Sequence, residues 1–407
     1  MRYADSGSKI DRRGPDPYPP IAQLGVVGDR RTAAVISADG TVCWLCLPNY
    51  DGTPVFGGLL DAACGGHWRL GPATMCAGRQ SYLPGTNVLV TLWQGAEGEL
   101  ELTDVMLSPD ESRPAAEEGQ RTMLRRLRCR RGSVQCVMGL APREDFAPGL
   151  ITSRASGGFQ LRLPGQFLRL WASRPVEPTE DCIRASFSLA AGDEFWAVLG
   201  IENDAAEWNT EKAREALSGT VQYWRELSGR YRYRGPRKDA VLRSALAIEM
   251  LSFAPTGALI AAATASLPER IGGDRNYDYR YAWIRDASMA IATLSVLGDV
   301  ESAERYLSWL AQLGSSTEMP LQVLYRVDGG TDIAQHERGD LAGYCGSRPV
   351  RFGNHAFQQR QIDCFGYLAD CAVIYLIQGG RWAPEYWRLI RAIADYTVEN
   401  WRKPSNG

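Results

Sequence analysis

The sequence predicts a protein of two unlike parts, an antiparallel β part followed by an α-helical part. Three observations carry that expectation. From about residue 21 to residue 205 the chain is a series of short alternating runs broken by turn residues, among them SYLPGTNVLVTLWQ, ELELTDVML and FQLRLPGQFLRLWA. Short strands separated by frequent turns favour an antiparallel sandwich over βαβ units. Beyond Glu207 the apolar positions fall three and four apart, which is the helical period. A chain of 407 residues is long enough for both parts to have a core.

Taken in order, residues 1–19 are Pro-rich and carry positive charge without an apolar run, so they are expected as a flexible lead-in rather than a signal peptide. The β domain is expected over residues 20–205. Within it, SADGTV is a hairpin turn in which Asp39-Gly40 supplies the positive-φ position. A linking helix falls in 206–235, in EWNTEKAREALSGTVQYWRELSG, and the helical domain occupies 236–407. Its helices are expected over Asp239–Phe253, Asp286–Leu297, Val300–Leu313, Gln361–Gln378 and Pro384–Trp401. Pro255 and Gly257 close the first, and Pro384 sits in a first turn, where its missing N–H costs nothing. The segment from Gly314 to Arg360 is long for a loop and rich in Tyr, Leu and Val, so a ligand-lining role is expected for it.

Composition sets bounds. Lys and Arg total 45 against 47 Asp and Glu, a net charge of -2, which carries no nucleic-acid footprint. No run approaches the length of a membrane span, and the cytoplasm is the default location. Ten cysteines without a secretion signal read as structural. Cys43 and Cys46 form a CxxC within TVCWLCLP, which reads as a strand. Strand alternation is expected to send the two thiols to opposite faces, against a shared metal. With three His in the chain, neither a metal nor a cofactor is expected.

The densest cluster is GGDRNYDYRYAWIRDAS, Gly272 to Ser288, with three Tyr, one Trp, three Arg and three Asp. In extended backbone Tyr279, Tyr281, Trp283 and Arg285 alternate onto one face, and Asp286 starts a helix. Aromatic faces stack on the CH-rich faces of a pyranose, while Arg and Asp bond its hydroxyls. A structural aromatic cluster with surface ion pairs uses the same residue types, and both readings stand at this point.

The stretch resembles the signature of glycoside hydrolase family 15, the inverting exo-acting glucoamylases, glucodextranases and bacterial trehalases. Other stretches match in order: IAQLGVVGDRRTAAVISADGTVCWLCLPNYDGTPVFGGLLD, SYLPGTNVL, ELTDVML, APTGALIAAATASLPERIGGDRNYDYRYAWIRDAS and GYCGSRPVRFGNHAFQQRQIDCFGYLAD. The resemblance runs from about Pro20 to Gly407. It implies an N-terminal β-supersandwich, a linker helix and an (α/α)6 barrel, here an incomplete one. It implies that Arg285 and Asp286 hold the outer hydroxyls of a terminal glucose and that Tyr279 lies beside the developing oxocarbenium ion. Tyr281 and Trp283 shape the same pocket, and Arg348 is a second hydroxyl ligand. Gln359, Gln361, Asp363 and His355 are pocket-supporting positions, with helix capping and loop bracing as the alternative for Gln361 and Asp363.

An inverting mechanism needs an acid and a base about 6.5–9.5 Å apart. By the resemblance the acid follows a WRxPxxGIWE-like sequence and the base comes much later. Here WRKPSNG ends at Gly407, so neither matching position is in this sequence. Asp278, Asp286, Asp328, Asp332, Glu337, Asp340 and Asp363 are the other carboxylates expected near the pocket, and no spacing selects a pair. The chain departs from the family pattern at Arg326, Cys345, His355 and Phe357. Three expectations follow: a shortened family-15-like hydrolase with little activity alone, a non-catalytic carbohydrate-binding or interaction protein, and an enzyme of altered chemistry. The partner expected in each is a small saccharide with α-linked glucose. Unburied helix faces add self-association, or a partner chain that completes the helical domain.

Overall fold

A computed structural model describes residues 18–108, 121–155, 158–179, 182–201, 208–313 and 320–406. The expected lead-in therefore lies outside the described residues up to residue 17, as do 202–207, 314–319 and Gly407. The last residues of that lead-in are packed. Tyr18 is buried against Tyr344, with ring centroids 5.4 Å apart, and the Tyr344 hydroxyl donates to Pro19 O at 2.7 Å.

The first part is a large antiparallel sheet organised by one long strand, Met123–Ala141. Its first half pairs with Gly98–Met106 and Glu194–Ile201. Its second half pairs with His67–Pro72 and Ile183–Ala190. The strand thus passes from one layer of the sheet to the other. Trp68, Leu70 and Met138 from one layer meet Leu100, Leu102, Leu127 and Phe195 from the other in a single apolar core.

Strand Thr41–Leu47 is buried along its whole length, because both of its faces are covered. Val42, Leu45 and Leu47 face the core between the layers, whereas Cys43, Trp44 and Cys46 face Tyr344, Val350 and Phe352 from the later chain. The two cysteines therefore share a face, contrary to the expectation from simple alternation. The cause is a bulge. Val35 pairs with Trp44 but Ile36 pairs with Val42, so Cys43 is an extra residue that shifts the alternation. Among the described residues no cluster of three or more His, Cys, Asp or Glu is arranged to hold a metal. The hairpin before this strand turns at Gly40, with φ +81°, and a Cβ there would lie 2.2 Å from Leu70 O.

The helices are α1 Thr210–Gly229, α2 Lys238–Met250, α3 Ile284–Val296, α4 Val300–Leu313, α5 Asp363–Ile377 and α6 Pro384–Asn400. Asn209 caps α1, its side-chain oxygen accepting from the Lys212 N–H at 2.9 Å. Helix α2 stops short of its expected end at Phe253, where Ser252 bridges to Leu259 and the Phe253 N–H bonds Ala258 O instead. Helix α3 starts two residues early, and α5 starts two residues late, leaving Gln361 before the helix. Helix α3 packs on α4 and α5, and α6 packs on α4 and α5. Among the described residues no helix is long and apolar enough to cross a membrane.

The two parts share one core. Ala213, Leu217 and Trp224 of α1 and Leu246 and Met250 of α2 pack with Ala33, Tyr50, Val105 and Trp196 from the sheet. Polar contacts cross the same boundary: Trp44 Nε1 donates to Ala263 O at 2.8 Å, and Asn87 Nδ2 to Leu246 O at 2.9 Å. The entry strand and loops of the helical part are thereby anchored on the sheet, which positions the aromatic segment at 272–288.

Candidate active site

Residues 279–283 run from loop into a two-residue strand, Ala282–Trp283, which pairs antiparallel with Leu324–Tyr325. Helix α3 then begins at Ile284, so Arg285 stands in a first helical turn rather than in extended backbone. The three aromatic residues nevertheless gather as expected. Tyr279, Tyr281 and Trp283 lie in one cluster with Val323, Leu324, Ile333, Ala356 and Phe357. The Tyr279 and Trp283 rings are 5.9 Å apart and tilted by 47°. Part of the long segment after α4 lines this cluster, through Val323, Leu324, Ile333, Ala356 and Phe357.

Arg285 is the hub of the polar side. Its guanidinium lies 6.0 Å from the Trp283 ring centroid. Nη1 donates to Gln361 Oε1 at 3.0 Å and to Asp363 Oδ2 at 3.2 Å, and Nη2 lies 3.5 Å from Asp286 Oδ2. Gln361 Nε2 in turn donates to Gln359 Oε1 at 2.7 Å. Gln361 is 8% exposed, whereas Asp286 is open to solvent. The structure thus joins Tyr279, Trp283, Arg285, Asp286, Gln359, Gln361 and Asp363 in one patch. Two groups in it lack partners among the described residues: the buried indole N–H of Trp283 and Asp363 Oδ1. Buried polar groups without partners are uncommon, and an unpaired donor and acceptor beside a guanidinium suit a polyhydroxylated ligand.

Burial raises the Tyr279 phenol above its ordinary value, with the charge of Glu269 adding to the effect. Burial also raises Tyr281, reinforced by Asp278. Both phenols stay protonated at neutral pH. Cys364, behind Asp363, is pushed up to about 12 by burial, with Asp363 contributing, so it is a thiol rather than a nucleophile.

Two candidates stand elsewhere. Arg348 is exposed, and its Nε donates to Ala342 O at 3.3 Å in a loop braced on Gly272 and Asn276 through Ser347 and Pro349. His355 is exposed on a short 3-10 turn, its backbone N–H reaching Gln335 Oε1 at 3.5 Å.

Sequence reasoning missed Arg280. Fully buried, it donates to Asp278 through Nε at 2.9 Å and Nη2 at 2.8 Å, and through Nη1 to Gly52 O at 2.7 Å. Asp278 also accepts from Gly353 N at 3.1 Å. This bidentate pair ties the aromatic segment to the sheet and to the loop before α5. The only signal in the sequence was the D-x-R spacing inside an otherwise aromatic run.

Residues 235–407 match the sequence model for Glycosyl hydrolases family 15, and residues 13–163 match Trehalase-like, N-terminal. The chain is 33% identical to a trehalase of Mycolicibacterium smegmatis, covering 96% of this chain and 62% of that protein. It is 31% identical to a trehalase of Mycobacterium tuberculosis, covering 96% and 61%. Trehalase 1 of Sulfolobus acidocaldarius is also 31% identical, over 93% and 64%. The chain therefore spans less than two thirds of the length of these relatives. Among solved structures, a family GH92 alpha-mannosidase of Bacteroides thetaiotaomicron overlays with a TM-score of 0.38 at 12% identity, over 91% of this chain and 52% of that one, a likeness too distant to bear on the reaction. The β part is thus similar to the trehalase-like N-terminal type and the helical part to glycosyl hydrolases family 15, in the same order along the chain as in the trehalase relatives.

Proposed function

We propose that this chain supplies the sugar-gripping side of a hydrolase acting on terminal α-linked glucose, with trehalose the first substrate to test. The observation that carries the reading is the convergence of Trp283, Arg285, Asp286, Gln361 and Asp363, with an unpartnered indole N–H among them. One pyranose face stacks on Trp283 and Tyr279, while its hydroxyls are held by Arg285, Asp286 and the two phenols. The trehalase names of the relatives favour trehalose over other glucosides. Helices α3 to α6 are read as part of an (α/α)6 toroid, and the sheet as its supersandwich.

The grip is separable from the bond cleavage. Asp286 and Asp363 both pair with the same guanidinium, an arrangement that orients hydroxyls rather than delivering a proton to a leaving oxygen. No catalytic residue is assigned within these 407 residues, and the proposal is that they bind sugar weakly and hydrolyse it near background. Calorimetric titration of the purified chain with trehalose, maltose and isomaltose, alongside glucose release, tests both halves. Arg285→Ala and Asp286→Asn are expected to abolish binding. Binding indifferent to both substitutions overturns the pocket. Strong turnover that both substitutions abolish overturns the inactive half.

A further inference from the structure

Asp51 belongs to the sheet, in the turn after strand Thr41–Leu47, yet its carboxylate meets the helical part. Its side chain is 1% exposed, and no described group donates a well-formed hydrogen bond to either oxygen. The group that faces it is Arg326, with Nη2 at 3.3 Å. A carboxylate buried without hydrogen bonds is costly, so this one depends on nearby cations, Arg326 first, with the buried Arg280 also acting on it electrostatically. Arg326 is not buried in return. It is 35% exposed, and its Nε lies 3.6 Å from Asp328 Oδ1, which is at the surface.

The register says where that guanidinium lies. Ala282 pairs with Tyr325 and Trp283 with Leu324, which makes Tyr281 the next neighbour of Arg326. Strand alternation then sets Tyr281, Trp283, Leu324 and Arg326 on one side of the ribbon. Tyr281, Trp283 and Leu324 are members of the aromatic cluster already described. Asp51 and Arg326 both act on the Tyr281 phenol electrostatically, as neighbours on that side must. A guanidinium has five N–H donors in a planar fork, and two carboxylates at 3.3 and 3.6 Å leave donors unspent on its exposed side.

We infer that Arg326 donates to hydroxyls of a bound pyranose at the edge of the Trp283 pocket, and that Asp51 is a positioning residue reaching from the sheet to aim it. The assignment rests on the reading of this pocket as a sugar site, and it adds to the Arg285 cluster a second cationic hand whose orientation is set by the other half of the molecule. It makes Arg326 a determinant of which glucoside fits, because a directional donor is met by differently placed hydroxyls in differently linked sugars.

The test is calorimetric titration of the full 407-residue chain with trehalose, maltose and isomaltose. Arg326→Ala is expected to weaken binding by about tenfold for the best-bound sugar, the loss of one charge-assisted hydrogen bond. Arg326→Lys restores only part of it, because a point charge does not reproduce the fork. Asp51→Asn weakens binding by a smaller factor, and in all three variants the loss differs among the sugars. Loss of fold would lower the three affinities alike, and far-UV circular dichroism detects it separately. If Asp51→Asn does not fold, the two Arg326 variants decide the question. Wild-type affinity for all three sugars in Arg326→Ala, with binding lost in Arg285→Ala, overturns the role of Arg326 and leaves the pocket standing. No binding by the wild type, or binding indifferent to Arg285→Ala, overturns the sugar reading and this assignment with it.

Discussion

Asp278 and Asp286 stand on the same short motif and meet opposite fates. Both were carboxylates expected near the pocket. Asp278 is fully buried and spent on Arg280 in a two-point pair, while Asp286 is exposed beside Arg285. Removing one partner of a buried pair strands a charge. Arg280→Met is therefore expected to cost about 4 kcal/mol of stability, read from the urea midpoint. Arg285→Ala, whose ion-pair partners Asp286 and Asp363 are partly exposed, is expected to cost less than about 1 kcal/mol. Equal losses would sink the distinction between a structural and a ligand-facing arginine. The aromatic half of the site was legible in sequence because its residues are contiguous. Arg280 was not, because an arginine two residues from an aspartate looks the same in sequence whether it is solvated or sealed beneath Phe352 and Trp44.

At the level of elements, the turn between strands Leu24–Gly28 and Ala33–Ser37 carries a buried carboxyl that makes it pH-sensitive. Asp29 Oδ1 accepts the N–H groups of Arg31 at 2.9 Å and Thr32 at 2.8 Å. Burial dominates all the same and raises its carboxyl from 3.8 to about 6, against the opposing effect of those amides. A raised folded-state value means that the folded protein holds this proton more tightly than the unfolded chain. Its stabilising contribution is complete below about pH 4 and is lost as pH rises through about 6. Asp29→Asn does not titrate and keeps an acceptor for the two amides. Urea midpoints at pH 4.5, 5.5, 6.5 and 7.5 should show wild type losing stability relative to Asp29→Asn across that interval. Parallel curves would refute it. The helices were legible to within a few residues, since their apolar period is local. The bulge at Cys43 was not, because it is set by the partner strand.

For the whole molecule, the Asp29 turn has a larger role. It holds Arg30 at φ +67°, sending the guanidinium to Tyr223 of α1 at 3.1 Å and to Glu249 of α2 at 2.9 Å. Glu249 is 1% exposed and also accepts from Ser302 of α4 at 3.3 Å. Sheet and helices are thus joined through a buried charge as well as a common apolar core. Glu249→Ala is expected to cost about 3 kcal/mol by leaving Arg30 unpaired. Tryptophan fluorescence and far-UV circular dichroism should lose their native signals at one shared urea midpoint, before and after the substitution. Two separated transitions would mean that the parts fold independently.

The order of strands and helices, the family motifs and the aromatic–Arg–Asp segment were all determined by sequence alone, because each depends on residues close together in the chain. Tertiary structure decided which charges are buried and which are offered to a ligand. Asp51 and Arg326 are 275 positions apart and meet only when the sheet docks on the helical part. Asp278 and Asp286 are chemically identical until that docking seals one of them from water. Solvent exposure sets the worth of a charge, and exposure is a property of the packed molecule.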